Sequence, residues 1–547
     1  MRVVIVGGVA GGMSAATRLR RLDADAEIIV LEKSGHVSYA NCGLPYFVGG
    51  IIEEEESLFL QTPESLHARF RLDVRISTQA TRINSVAKTI EILDLVSGES
   101  SEISYDKLIL SPGANPVIPP IPGIAHAITL RTVEDVEKIV AQVNKRPKNA
   151  VVIGGGFIGL EVAENLAHKG IPTTVVEALP QVLAPLDPEM ATLVADELIY
   201  HGVDVFLGNA VESVTSSSVK LASGEELPAE LVILAIGVRP DISLAKQADL
   251  QIGERGGIEV NEFNLTSDSD IYAVGDAAEK RDSIDGSATL VPLANLANRH
   301  GRVVADHIAG RQTRPVLTIG TAIVKVFDLT IATTGWNEKR LVAQKRAFHA
   351  IHSHPSSHAG YYPGAKPMSL KLLLDSSTGE ILGAQGIGTE GVDKRIDVLA
   401  TAMRGGLFAP ELADLELAYA PPFGSAKDPV NMLGYIAENR LSGIARAVQW
   451  NELEDYRARG YEILDVRTPR EFARGTIPGS VNIPIDELRE RIGEITGSDV
   501  VVTCQVGIRG HTATLLLNEL GFNALSLDGG YQTWSHSPAK NLVPVLS

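Results

Sequence analysis

Apolar residues along the chain gather in short β-branched runs, and two of these runs lead at once into glycines and then into a helical pattern. Val3–Val6 is followed by Gly7-Gly8-Val9-Ala10-Gly11-Gly12 and the helix-like stretch Met13–Leu22; a second strand, Glu27–Leu31, ends at Glu32. The same plan returns at Ala150–Ile153, Gly154-Gly155-Gly156-Phe157-Ile158-Gly159, Leu160–Lys169 and Thr173–Val176, the last ending at Glu177. Each copy predicts a βαβ unit in which Gly7 and Gly12, or Gly154, Gly156 and Gly159, bring backbone N–H groups and a helix start to a pyrophosphate. The acid at the second strand end, Glu32 or Glu177, then meets a ribose hydroxyl. One glycine fingerprint by itself is as often a structural turn. Two copies, each with strand before, helix after and acid at the right distance, point to two dinucleotide sites. In the first, Val9 stands where the middle glycine is usual.

Further strands follow at Tyr105–Leu110, ending in Ser111-Pro112-Gly113-Ala114, at Leu231–Ile236, and at Ser269–Val274, which stops at Gly275-Asp276. From about residue 320 the pattern changes to strands separated by turn residues (Ala322–Val326, Leu329–Gly335, Ser369–Leu374, Ile381–Gly388) and then helical Asp393–Met403, an α+β pattern. Near residue 446 it changes again: Tyr461–Val466, Pro469–Ala473, Leu488–Ile495, Val500–Thr503, His511–Leu520 and Ala524–Leu527 alternate strand and helix, enough for a small separate α/β domain. The fold class expected is α/β throughout, with an α+β domain between the dinucleotide units and the C-terminal domain.

The length of 547 residues fits three or four domains at roughly 150 residues each. A net charge of −18 argues against a nucleic-acid partner, and no window approaches the roughly 20 apolar residues of a membrane span. Only two cysteines occur, which fits a reducing, cytoplasmic setting without structural disulfides. Cys42 lies in Ser38-Tyr39-Ala40-Asn41-Cys42-Gly43-Leu44-Pro45, and Cys504 opens Cys504-Gln505-Val506-Gly507-Ile508-Arg509-Gly510 after an apolar strand. Both loops suit a reactive thiol, although a buried inert cysteine is the commoner case across proteins. Cys42 is expected to work as a thiolate stabilised by a helix start. In the Cys504 loop several N–H groups can curl round a persulfide anion, with Arg509 adding positive charge. Arg18 and Arg21, three apart, share a helix face that suits phosphate or simply water. Glu177 without a following arginine favours NADH over NADPH. His352, His354 and His358 lack a carboxylate or cysteine at ligand spacing, so no metal is expected there, and Glu53–Glu56 reads as a solvated run.

These features together resemble the two-dinucleotide flavoprotein disulfide reductases. The single cysteine in a Ser-Tyr-x-x-Cys-Gly setting is similar to the branch containing coenzyme A disulfide reductases, NADH oxidases and NADH peroxidases. Oxidases and peroxidases of that branch carry a histidine in the first glycine loop, where this chain has Ala10. His358–Gly364 and Ala418–Phe423 resemble the tyrosine-bearing loops of coenzyme A disulfide reductases, which reach across a dimer interface. Asp465-Val466-Arg467, Pro469-Arg470-Glu471-Phe472, Gly475-Thr476-Ile477-Pro478-Gly479-Ser480 and the Cys504 loop stand in the order found in rhodaneses, with Thr476 where a histidine is usual.

The resemblance implies an FAD-binding domain in two parts (1–147 and 239–319) around an NADH-binding domain (148–238), a dimerisation domain (320–445) and a rhodanese domain (446–547). Ser111, Gly113 and Asp276 would join Gly7, Gly12 and Glu32 on FAD. Ser14, Arg18, Arg21, Ser38, Asn41, Asn298 and Lys427 would contact coenzyme A, Asn298 replacing the family's histidine. Tyr361, with Tyr362 as its competitor, and Tyr419 would donate to a leaving thiolate in a homodimer. The activity implied is NADH-dependent, FAD-mediated reduction of coenzyme A disulfide, coenzyme A persulfide or polysulfide at Cys42, with sulfane sulfur on Cys504. An NADH oxidase or peroxidase, and a low-turnover sulfur-relay or redox-sensing protein, are the alternatives.

Overall fold

The computed structural model describes residues 1–542, so the last five residues of the expected rhodanese domain lie outside it. The chain forms two units: Met1–Pro180 with His201–Thr318, and Gln181–Tyr200 with residues 319 onward.

The first unit holds two five-stranded parallel sheets. One has the order Ile271–Ala273, Lys107–Leu110, Arg2–Val6, Glu27–Leu31, Asp73–Arg75. Its register pairs Val6 with Leu31 and with Leu110, and Leu110 with Ala273. Four strands therefore end level, and Gly7, Glu32, Ser111 and the Gly275-Asp276 turn emerge at one edge, where ligands of parallel sheets gather. The near-continuous Val/Ile/Leu runs follow from burial on both faces; Val3, Val4 and Ile5 are fully buried. Helix Ala10–Leu22 turns Gly11, Gly12, Ala15, Ala16 and Leu19 inward and packs against helix Ala294–Ile308. Their backbones approach so closely that a Cβ at Gly301 would lie 2.3 Å from the Gly11 carbonyl.

The second parallel sheet runs Asp204–Leu207, Thr173–Glu177, Ala150–Ile153, Leu231–Leu234, Ile128–Thr129, with Ile153 opposite both Val176 and Leu234. It delivers Gly154 and Glu177 to its own carboxyl edge by the same rule.

The second unit contains an antiparallel sheet in the order Ala322–Val326, Leu329–Gly335, Ile381–Gly388, Met368–Asp375, Phe348–Ser353, whose core includes helices Val392–Gly405 and Pro429–Leu441. Helix Pro188–Tyr200 groups with this unit, although in sequence it lies within residues 148–238. A parallel sheet follows, Ala447–Val448, Asn523–Leu527, Asp499–Thr503, Glu462–Asp465, Val481–Asn482, with its three central strands largely buried.

Three helices begin earlier than apolar periodicity predicts: Ala10 rather than Met13, Phe157 rather than Leu160, Ile508 rather than His511. The backbone already turns helical inside the glycine-containing loop, before any apolar stripe can mark it.

Candidate functional site

At the first sheet edge, Gly7 adopts φ +100°, and a Cβ there would lie 2.0 Å from the Ser111 carbonyl; one on Gly12 would lie 1.9 Å from the Gly7 carbonyl. No side chain caps helix Ala10–Leu22, so its first N–H groups are left for another acceptor. The buried Glu32 carboxylate accepts from Gly8 N–H at 2.7 Å and Ser34 N–H at 2.8 Å; burial raises its pKa against those bonds. Asp276 lies in the turn Gly275–Ala277 and accepts from Arg131 Nη2 at 2.9 Å, and that same nitrogen lies 3.2 Å from where a Cβ on Gly113 would be. Gly113, Asp276 and Arg131 thus converge. Arg131 escapes sequence reading because it follows no motif and meets its partner 145 positions away. Bare glycine backbone, an uncapped helix start and an acid at the strand end are what a flavin dinucleotide requires, and the residues fit it.

The second turn repeats the arrangement. Gly154 has φ +112°, a Cβ on Gly159 would lie 2.0 Å from the Gly154 carbonyl, and Gly156, which no side chain caps, has open space where its Cβ would be. Glu177 accepts from Gly155 N–H at 2.7 Å and Leu179 N–H at 2.8 Å, which fixes its carboxylate beside the turn.

Cys42 is exposed and lies in the 3₁₀ turn Asn41–Gly43, ahead of a helix of only five residues, Leu44–Val48. Ser38, at φ +50°, donates its N–H to the Gly8 carbonyl at 2.8 Å and so ties the cysteine loop to the first glycine turn. Desolvation and then the Glu161 carboxylate push the Cys42 thiol up, while Arg131 pulls it down. Within this one chain the balance is therefore upward, opposite to the lowering expected of the loop. Glu161 itself is lifted by burial to about 7, against the hydrogen bond it accepts from Tyr46 at 3.3 Å. Asn41 Oδ1 is buried and accepts no hydrogen bond, an acceptor left for a bound donor.

Ser14 and Asn298 meet, Oγ donating to Oδ1 at 2.8 Å. Arg18 is held by Asp306 at 2.7 Å, so its charge is already partnered, whereas Arg21 is exposed. In the second unit, Tyr361 and Tyr419 bring their hydroxyls within 2.9 Å on an exposed surface, and the bond raises the Tyr361 pKa; Lys427 Nζ lies 6.0 Å from the Tyr435 ring. Tyr362 instead meets the His358 ring edge-on.

Cys504 is fully buried, with its sulfur accepting from Gly507 N–H at 3.2 Å just before helix Ile508–Glu519. Arg509 interacts electrostatically with Cys504 and also grips Glu471 at 2.6 and 2.8 Å, holding that carboxyl down at about 2. Below the loop, Arg467 is buried on Asp465 at 2.6 Å, reaches Gln505 at 3.1 Å and stacks on Tyr531 at 4.2 Å. Thr476 donates to Asp465 at 3.0 Å. Of the three discounted histidines, His352 bonds Asp528 and Glu189, and His354 bonds Ser369 and Thr533.

Two parallel sheets with glycine turns, one thiol beside the first turn and a second thiol in its own α/β domain define a flavin- and nicotinamide-type sulfur oxidoreductase. Residues 1–301 match the pyridine nucleotide-disulphide oxidoreductase model, 321–429 its dimerisation domain, and 448–537 the rhodanese-like domain; the chain belongs to the pyridine nucleotide-disulphide oxidoreductase family and carries a rhodanese-like domain. Coenzyme A disulfide reductase of Staphylococcus aureus is 35% identical over 441 residues, 80% of this chain and all of that protein. The structure of reduced Bacillus anthracis CoADR-RHD is 46% identical with a TM-score of 0.96, covering 98% of both chains. That of an NAD-dependent persulfide reductase from A. fulgidus is 39% identical with a TM-score of 0.93, covering 98% of this chain and 100% of that one. The α/β fold class and the resemblance read from sequence agree with these findings. Among the described residues no helix is long and apolar enough to cross a membrane.

Proposed function

We propose that this chain is an NADH-dependent coenzyme A disulfide and persulfide reductase that uses FAD. In this reading Cys42 is the redox thiol, and Cys504 holds sulfane sulfur. The observation that carries the reading is the pairing of one free thiol beside a dinucleotide turn with a second that accepts the Gly507 N–H in a loop of its own domain.

Gly7, Gly12, Glu32, Ser111, Gly113, Asp276 and Arg131 would hold FAD, and Gly154, Gly156, Gly159 and Glu177 would hold NADH. FAD, when bound, would supply the two electrons, drawn from NADH, that cleave the mixed disulfide on Cys42, returning Cys42 to its thiolate and freeing the second half of the substrate as a thiolate. Cys42 Sγ attacks one sulfur of the substrate disulfide, forms a mixed disulfide and releases the other half as a thiolate, which then takes a proton. Tyr361 and Tyr419, contributed by the partner of a homodimer, are the donors for that proton. The match of residues 321–429 to a dimerisation domain and the exposure of both rings support this. Burial lifts Glu161 to about 7, and a proton on its carboxylate would remove a charge that opposes the Cys42 thiolate. Arg21 is the freer phosphate contact for coenzyme A, with Ser14, Ser38, Asn41, Asn298 and Lys427 completing the set and Arg18 shared with Asp306. A cytoplasmic location would keep both thiols reduced.

The test is NADH oxidation in steady state with coenzyme A disulfide, coenzyme A persulfide and oxygen as acceptors, for the parent and Cys504→Ala. Turnover on both sulfur substrates, with Cys504→Ala damaged only on the persulfide, supports the proposal. Oxygen as the preferred acceptor would make the chain an oxidase. Equal loss on both substrates would make Cys504 structural.

A further inference from the structure

His352 lies in strand Phe348–Ser353 of the antiparallel sheet and is buried, and both its ring nitrogens meet carboxylates. Nδ1 is 2.7 Å from Asp528 Oδ2, which also accepts the His352 backbone N–H at 2.8 Å; Nε2 is 3.0 Å from Glu189 Oε1. Burial acts to lower the ring's pKa, and the bonds to Asp528 and Glu189 outweigh it, lifting it to about 9, so the ring donates from both nitrogens. Behind Glu189 lies Lys371, fully buried among Asp187 (2.9 Å), Glu189 (2.5 Å) and Glu338 (2.7 Å). Arg440 holds the other Asp528 oxygen at 2.9 Å. Three cations face four carboxylates in this group, which has no place in the redox chemistry above.

Its reach is toward sulfur. Asp528 ends the strand Asn523–Leu527 of the rhodanese-like domain and opens Gly529-Gly530. A Cβ on Gly529 would lie 2.8 Å from His352 Cβ, so the histidine abuts that turn directly. Gly530, at φ +63°, has the Cys504 carbonyl 2.5 Å and Gly507 N 3.0 Å from its own Cβ position. Tyr531 N–H donates to the Cys504 carbonyl at 2.7 Å and Gln532 N–H to the Gln505 carbonyl at 2.9 Å. One residue on, Thr533 Oγ1 is 2.8 Å from His354 Nε2, a second pin from the same edge of the sheet. The segment 528–533 thus meets two histidines of the dimerisation region on one side and the Cys504 loop on the other.

We infer that His352 is a positioning residue for sulfur transfer at Cys504: through Asp528 it fixes the Gly529-Gly530 turn that closes the rear of the Cys504 loop. The dimerisation region thereby sets the geometry of the sulfur site. The inference rests on the reading of Cys504 as the sulfane-sulfur carrier.

Two substitutions separate the arms of the ring. His352→Asn keeps a donor at the same bond count from Cα as Nδ1, facing Asp528; His352→Gln keeps one at the place of Nε2, facing Glu189. The assay is transfer of sulfane sulfur from a small persulfide to cyanide by the full-length protein without NADH, with Cys504→Ala as the control. We expect His352→Gln to lose at least about tenfold in kcat with KM nearly unchanged, because an ångström of misplacement suffices for such losses, and His352→Asn to stay within about threefold of the parent. NADH-dependent reduction of coenzyme A disulfide should be unchanged in both. Parental kcat in His352→Gln, or an equal fall in both variants, overturns the inference. Full transfer by Cys504→Ala would instead overturn the sulfur-carrier reading and the inference with it. If either histidine variant fails to fold, Arg440→Gln, which frees the other Asp528 oxygen, should lower kcat while sparing KM; an unchanged kcat there refutes the proposal.

Discussion

Gly530→Ala tests the Cys504 loop most directly, because its cost can be worked from the backbone. The new methyl would lie 2.5 Å from the Cys504 carbonyl oxygen, 3.0 Å from Gly507 N and 3.1 Å from the Gln505 carbonyl carbon. All three are main-chain atoms and none can swing aside as a side-chain tip would, so the carbonyl must recede by nearly an ångström to reach ordinary contact. A left-handed φ adds about 1–2 kcal/mol for a residue with a Cβ, and overpacking typically adds about 1–3 kcal/mol. The domain should lose roughly 2–5 kcal/mol, still within the stability of many folded domains. The loop that presents Cys504 would shift with its carbonyl, and displacement of that size costs on the order of 100-fold in rate. Sulfur transfer to cyanide should therefore collapse at temperatures where circular dichroism shows the protein folded, while NADH-dependent disulfide reduction continues. Transfer within about threefold of the parent would refute the reasoning, since loop geometry would then not limit the reaction.

Cys42→Ser should retain bound FAD and lose NADH-dependent reduction of coenzyme A disulfide, because a serine hydroxyl is no nucleophile near pH 7; undiminished NADH oxidation would contradict it. Tyr361→Phe and Tyr419→Phe should each lower kcat by roughly 100-fold if the bonded hydroxyls deliver a proton, and sedimentation should show both variants still dimeric. His352 is lifted from 6.5 to about 9 in the folded chain. Its contribution to stability is thus complete below about 6.5 and fades as the pH rises through about 9. Thermal denaturation should show that decline, flattened in His352→Asn; a parent Tm that does not change across this window would refute it. Glu177→Ser with Ala178→Arg should shift preference toward NADPH by removing the acid and adding a phosphate partner, read as the ratio of kcat/KM for the two nucleotides.

The parts of the molecule legible in sequence are those whose chemistry is local. The glycine turns with Glu32 and Glu177 show in a window of about 30 residues because strand, turn, helix and acid are one supersecondary unit. The cysteine loops show for the same reason. What stays hidden depends on partners far away in the chain. Phe348–Ser353 carries two histidines and gives no strand signal, since burying His352 makes sense only once Glu189 and Asp528 arrive from 163 and 176 positions away. Arg509 is legible as a charge near Cys504, but nothing near it in sequence announces that it also grips Glu471, 38 positions back. Arg18 reads as a phosphate ligand, and nothing near it in sequence announces Asp306.

Asp528 also bears on whether the two catalytic modules can be separated. A chain cut after residue 445 would take Asp528 away from both His352 and Arg440 and open to water the face of His352 that Gly529 now covers, leaving the ring with Glu189 as its remaining carboxylate. The complementary fragment would keep every residue of the Cys504 loop but lose the grip on its rear turn. Grafting a different rhodanese onto the flavoprotein therefore requires an acid at the position of Asp528, at the end of the strand that leads into the glycine pair, and a donor without that acid should give a folded but slow sulfur transferase.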